Sequence, residues 1–246
     1  ANNTYPDIEI QNSQSVNLPR GLREEPVTYK LSPREAARQF QAAGAEWLHI
    51  VDLDGAKAGD PVNLSLVEEI AKSVPVPVQY GGGVREVRKA KNALSMGIDR
   101  VIIGTAAVEK PGIVEELVEQ LGGSSLVVSV DAREGKVALR GWTRESDVEA
   151  IELVESLEAS GVERFVYTDI TRDGTLTEPN FSVIENLAKT TRMGILVAGG
   201  VSSIEQVSRL ADIPVEGAIV GTAAYTGDLD LRKAIESAHG YKGTGR

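Results

Sequence analysis

Short apolar, β-branched runs alternate along the chain with stretches whose apolar positions recur every three to four residues. The first kind reads as buried strands, the second as helices with one packed face. The pattern places strands near 5–10, 46–52, 76–80, 100–104, 125–131, 163–169, 194–198 and 216–221. Between them "SPREAARQFQAAG", "NLSLVEEIAKSV", "REVRKAKNALSMG" and "PGIVEELVEQLGG" carry the helical spacing. Ser32-Pro33 is an N-cap followed by proline at the first helical position, and Gly44 stops that helix. Eight strand–helix units predict a parallel sheet with helices outside, and eight is the number that closes a TIM (βα)8 barrel of the α/β class. An open doubly wound sheet is the structural rival, and it usually has fewer strands.

The two halves match in one register. Gly104-Thr105 recurs as Gly221-Thr222, "AAGAEWLHIVDLD" from 42 recurs as "ASGVERFVYTDIT" from 159, and "GGGV" at 81–84 recurs as "AGGV" at 198–201. Each pair is 117 residues apart. Glycine-rich strand ends recur in any α/β protein, so the shared spacing carries the argument. The expectation is one barrel over 1–246 with internal half-barrel duplication, the halves spanning about 1–122 and 123–246.

The duplicated turns point to a ligand. In each half a glycine-rich turn after the third strand lies beside a Gly-Thr turn after the fourth. Glycine lets the backbone approach a ligand closely, and the helix starts beyond supply unpaired N–H groups. One phosphate cradle would take Gly82, Gly83, Gly104 and Thr105. The other would take Gly199, Gly200, Gly221 and Thr222, joined by Gly174 and Thr175 of "DGTL". The plainer reading is that these glycines only permit tight turns. Two cradles across one barrel mouth imply an elongated ligand with a phosphate at each end.

Carboxylates lie between the cradles. Asp7 and Glu9 of "YPDIEIQN" are two apart and share one face of the first strand, Glu9 near the rim and Asp7 a layer deeper. Asp131 ends the fifth strand; Thr168 and Asp169 end the sixth, with Asp173 on the loop beyond. Facing carboxyls suit acid–base work, one protonated and one ionised. Asp169 and its counterpart Asp52 read equally well as loop caps. His49, inside a strand, reads as a hydrogen-bonded interior group that can border the substrate. Trp142 on the long loop after strand five could stack on a flat heterocycle, and Arg140 beside it could pair with an anion. Arg20 belongs to the loop 11–32, long enough to act as a lid.

Composition narrows the partners. At 246 residues and 41% hydrophobic the chain can fill a barrel core, and its 25 glycines suit many tight turns. It has no cysteine, which excludes disulfides and thiolate metal sites and fits a cytoplasmic protein. A formal charge of −10 argues against nucleic-acid binding. No run has the roughly 18 apolar residues a membrane span needs. The "DLD" at 52–54 lacks a fitting ligand set for a metal. The expected partner is a bisphosphorylated small molecule, with no nucleic acid, no membrane and a monomeric protein.

The motifs "AGAEWLHIVDLDGAKAG", "VPVQYGGGVR", "RVIIGTAAVEKP", "DAREGKVALRGW", "YTDITRDGTLTEPN", "VAGGVSS" and "GAIVGTAAY" closely resemble the phosphoribosylformimino-5-aminoimidazole carboxamide ribotide isomerases of histidine biosynthesis. The likeness runs from about residue 33 to 238. It implies a (βα)8 barrel, a substrate with two ribose phosphates and an Amadori rearrangement of an aminoaldose to an aminoketose with no cofactor. It matches Asp173 to the acid that opens the sugar ring, Asp131 and Thr168 to supporting positions, and Trp142 to the stacking aromatic. The first strand departs from the family: Glu9 stands where the family has its aspartate base, Asp7 replaces a small residue, and Asn17 replaces an arginine that Arg20 could stand in for. Two alternatives accompany this reading: an isomerase that also takes phosphoribosylanthranilate, and a binder of bisphosphorylated metabolites without catalysis.

Overall fold

Eight parallel strands close on themselves in the computed structural model, which describes residues 3–17, 27–28, 31–173, 178–227 and 229–239. In chain order the barrel strands are Asn3–Gln11, Leu48–Asp52, Val78–Gly81, Arg100–Ile103, Leu126–Arg133, Arg164–Asp169, Gly194–Ala198 and Gly217–Val220. Each pairs with the next, and the eighth returns to the first through Asn3↔Gly217 to Pro6↔Val220. Helices fill every gap between barrel strands. This is the expected TIM barrel. No helix among the described residues is long and apolar enough to cross a membrane.

The strands are apolar on both faces because each face meets a different layer. Ile8, Ile50, Tyr80, Ile103 and Val128 pack outward against helical residues such as Ala36, Phe40 and Ile70. Tyr5, Ile102, Val127, Val166, Leu196 and Ile219 fill the lumen. Charges and rings close the floor. Trp47 stacks on Tyr5 with ring centroids 5.7 Å apart. The Arg100 guanidinium lies 3.8 Å above the Trp47 ring and donates to the Tyr5 hydroxyl at 3.0 Å. Glu216 meets Arg164 at 3.2 Å and Arg100 at 3.7 Å. With the floor sealed among the described residues, the lumen opens at the carboxyl ends of the strands, where barrel active sites lie.

The spacing of 117 extends from motifs to whole elements. Helix Pro33–Ala42 recurs as Ala150–Ala159, Leu64–Ser73 as Phe181–Thr190, and Thr105–Glu109 as Thr222–Thr226. The first and fifth strands follow another offset. Glu9 pairs with Val51, and Asp131 pairs with Thr168, the residue 117 beyond Val51. Glu9 is therefore the counterpart of Asp131, and Asp7 that of Ser129.

The connections after these two strands differ from simple loops. Both strands run past the barrel rim and turn back as hairpins, Gln11 pairing with Gln14 and Arg133 with Lys136. The central residues of both turns have positive φ: 51° and 61° for Asn12-Ser13, 51° and 81° for Glu134-Gly135. That is the type I′ geometry that matches strand twist. The long loop expected around Trp142 is thus strand in part, Lys136–Leu139 pairing antiparallel with Arg144–Glu149. Polar residues on the second of these, "RESDVE", lack the apolar alternation that marks a strand, which is why the pattern missed it. On the first connection, strands Gln14–Asn17 and Val27–Thr28 occupy part of the expected lid.

Candidate functional site

A cavity of about 260 Å³ opens at the carboxyl end of the barrel. Asp7, Glu9, His49, Asp131, Trp142, Thr168 and Asp173 line it, with Gly82, Gly83, Gly104 and Thr105 on one side and Gly199, Gly200, Gly221 and Thr222 on the other. Strands three and four carry the first group, seven and eight the second. In a ring of eight these are opposite arcs. Asp7 and Glu9 both reach the lumen because they share the inward face of the first strand. Arg20, Gly174 and Thr175 lie outside the described residues.

The carboxyls differ in surroundings. Asp131 accepts from the Trp142 indole N–H at 2.8 Å and the Ser129 hydroxyl at 3.1 Å, and is also hydrogen-bonded to Thr168. Burial still leaves its pKa above the usual carboxylate value, because the three hydrogen bonds only partly offset desolvation. Asp173 has less help: burial, with repulsion from Asp131, pushes it up to about 7. Asp7 is also raised, first by burial and then by the charge of Asp173, against which a hydrogen bond with Glu9 pulls down. All three carboxyls are raised, and Asp173, poised near neutrality with fewer donors than Asp131, is the one suited to give and take a proton.

His49 sits beside Asp7 on the second strand. Burial depresses it to about 4, so the ring is neutral. Its tautomer follows from a chain of partners. Arg100 can only donate, and it reaches the Gln79 carbonyl oxygen at 3.3 Å. The Gln79 amide nitrogen therefore faces His49 Nδ1, 2.8 Å away, and donates to it. Nδ1 must accept, which leaves the proton on Nε2. Imidazole ¹⁵N NMR is expected to show this neutral Nε2–H tautomer down to about pH 5; a ring charging near pH 6.5 would contradict it. The helical and strand periods conceal such a chain, since Gln79 and Arg100 look like errors in an apolar core.

Each glycine corner is held by the same aspartate–asparagine pair. Asn63 Nδ2 donates to Asp52 at 2.8 Å, and Asn180 Nδ2 donates to Asp169 at 3.2 Å, again 117 residues apart. Asp52 also accepts from the N–H groups of Gly55, Val62 and Asn63 and from the Tyr80 hydroxyl. Both aspartates are loop organisers. The turns above them admit no side chain: a Cβ on Gly83, at φ +81°, would lie 2.3 Å from the Gly55 carbonyl, and one on Gly200, at φ +84°, 2.6 Å from that of Glu178. Gly83→Ala is expected to cost about 1–3 kcal/mol of stability and to weaken inorganic phosphate binding, measurable by melting and calorimetry.

The hairpin after strand five is pinned over the first corner. Arg140 gives its backbone N–H to Thr105 Oγ1 at 2.8 Å and both arms of its guanidinium to Glu109 at 3.0 and 2.7 Å. Arg144 adds a third contact to Glu109 at 2.8 Å. The Arg140 hydrogen bond holds the Glu109 carboxyl below its usual range despite the opposing effect of desolvation. Arg140 borders the cavity, then, with its charge engaged by Glu109. Trp142 reaches Asp131 from a left-handed backbone at φ 72°. Sequence reasoning missed Ser129, although its place two residues before Asp131 on the same strand face was a usable signal.

An eight-stranded parallel barrel with a sealed floor and a carboxyl-lined mouth is the framework of an α/β-barrel enzyme acting on a small molecule. The chain belongs to the histidine biosynthesis protein family, whose sequence model matches residues 3–230. It is 48% identical to a protein of Dehalococcoides mccartyi, over 94% of this chain and 97% of that one. It is 44% identical to a Roseiflexus protein, covering 94% and 97%, and 42% to one of Clostridioides difficile, covering 94% and 95%. All three are named 1-(5-phosphoribosyl)-5-((5-phosphoribosylamino)methylideneamino) imidazole-4-carboxamide isomerase.

Proposed function

We propose that this chain is an isomerase of histidine biosynthesis that converts an aminoaldose with two phosphoribosyl ends into the corresponding aminoketose. Glu9 and Asp131, counterparts on facing strand ends, border with Asp173 a cavity that has a Gly-Thr corner on each side. This is the observation that carries the reading. The corners take one phosphate each, through N–H groups that a helix start leaves unpaired. Asp173 protonates the ring oxygen as the C1–O bond breaks and the amino nitrogen forms a cationic C1=N bond. Glu9 then takes the proton from C2, giving an enaminol. Loss of the C2 hydroxyl proton and gain of a proton at C1 complete the aminoketose. Substrate and product are isomers, so the step is redox-neutral and takes no cofactor.

Asp131 and Thr168 orient the opened sugar, and His49, as a neutral N–H donor, offers a hydrogen bond to one of its hydroxyls. Trp142 covers the imidazole. In this reading the chain is one domain of two half-barrels, about 1–122 and 123–246, working as a cytoplasmic monomer without nucleic acid or membrane. Turnover of the substrate named for the relatives, assayed beside phosphoribosylanthranilate, tests it. Conversion of the first is the expected result. Tight binding of the first with no turnover would replace the enzyme by a metabolite binder, and comparable conversion of both would widen the substrate range.

A further inference from the structure

His49, Gln79 and Arg100 form a buried polar chain through the first half of the barrel, and neither the acid nor the base accounts for it. We propose that Gln79 is a positioning residue that fixes the proton of His49 on Nε2, so that the imidazole presents a donor to the substrate. The proposal rests on the placement of His49 against the opened sugar and names what controls that contact.

The barrel's own repeat shows that the fold does not require this chain. His49 pairs with Gln79, and Gln79 with Arg100, on the second, third and fourth strands. In the same registers Val166 pairs with Leu196, and Leu196 with Gly217, on the sixth, seventh and eighth. Each counterpart lies 117 residues on. Val166 and Leu196 are packed in the lumen. A Cβ on Gly217 would lie 2.8 Å from the Tyr5 ring, which takes the space of a side chain there. One half thus fills with hydrocarbon the positions that the other gives to an imidazole, an amide and a guanidinium. A buried polar network needs every partner in place and is often no more stabilising than apolar side chains of similar size. A use at the site, rather than packing, accounts for it.

The chain has one direction. Arg100 is anchored at the floor by the Tyr5 hydroxyl at 3.0 Å, the Trp47 ring at 3.8 Å and Glu216 at 3.7 Å. It has donors only, so the Gln79 carbonyl oxygen, 3.3 Å away, accepts. That turns the amide nitrogen to His49 Nδ1, at 2.8 Å. Nδ1 is thereby engaged, while Nε2 has no partner among the described residues. The ring borders the cavity, so Nε2 is the nitrogen a ligand meets. A neutral imidazole can carry its proton on either nitrogen, and here the choice is made from the barrel floor. The group it suits is a sugar oxygen acting as acceptor.

The test sets Gln79→Glu beside wild type at about pH 8, where an ordinary imidazole is neutral. Imidazole ¹⁵N NMR is read without substrate, and kcat and KM are measured on the relatives' named substrate. Glutamate has the same reach, gains an ion pair with Arg100, and as an anion can only accept from Nδ1. The proton is expected to move to Nδ1 and kcat/KM to fall roughly 10- to 100-fold, the scale of a hydrogen-bonding group left unpaired. Melting should stay close to wild type. The chain has two histidines, and His239→Gln assigns the second ring. Gln79→Leu, the residue of the other half, serves if Gln79→Glu folds poorly. It removes the donor without adding charge, so its ring should populate both tautomers, with a smaller loss of kcat/KM. A ring that stays wholly Nε2–H in either variant, or one that shifts while kcat/KM is unchanged, would overturn the proposal. Absence of turnover in wild type removes the enzyme reading instead, and the tautomer still decides whether Gln79 sets it.

Discussion

Asp173→Asn is expected to lower kcat by roughly 10²- to 10⁴-fold, the usual contribution of a positioned acid, with substrate affinity held within a few-fold. The amide keeps the shape of the carboxyl and cannot deliver the proton that the ring oxygen needs. The same change should stabilise the fold. A carboxyl at about 7 in the folded protein and near the ordinary value when unfolded binds its proton more tightly in the native state. Its favourable contribution is complete in acid and is lost as pH rises through about 7. The asparagine variant has no such loss. Its melting temperature should exceed that of wild type clearly at pH 8 and hardly at pH 4, by about 2–4 °C for each kcal/mol at this chain length. Wild-type turnover in this variant would remove Asp173 from the mechanism.

Glu9→Gln should be equally severe, roughly 10²- to 10⁴-fold in kcat, because an amide cannot accept the C2 proton. Glu9→Asp keeps the base and draws it back by one methylene. Its activity should lie between the two, set by how closely the shorter carboxyl approaches C2. Steady-state assays of both variants at one pH decide the matter. Turnover preserved in the glutamine variant would transfer the base to another carboxyl, with Asp131, the counterpart of Glu9, first in line. Restoration by aspartate of an activity absent from wild type would instead mark this chain as a binder that lost its base.

Much of this was written in the linear pattern. Apolar runs of four to six residues alternating with amphipathic helices define eight units, and the common 117-residue spacing pairs them. The carboxyls at strand ends and the glycine corners follow, since a strand's period of two states which residues share a face. Local chemistry was enough because each of these features spans only a few neighbouring residues.

What the chain pattern left open depends on registers between distant strands. That Glu9 answers to Asp131 is invisible in the numbering, because the first connection is longer and the 117 spacing lapses there. The contacts among Arg100, Arg164 and Glu216 on the floor join three distant strands and exist only once the barrel brings them together. Arg140 looked available for an anion until the fold set Glu109 against it. Which carboxyl keeps its proton is likewise a matter of desolvation and of neighbours contributed by other strands. The sequence by itself determined the strands, the helices and the repeat, because hydrophobic periodicity is a local property; only the closed barrel decided the charge states and partners in its mouth, because electrostatic interaction depends on distance through space.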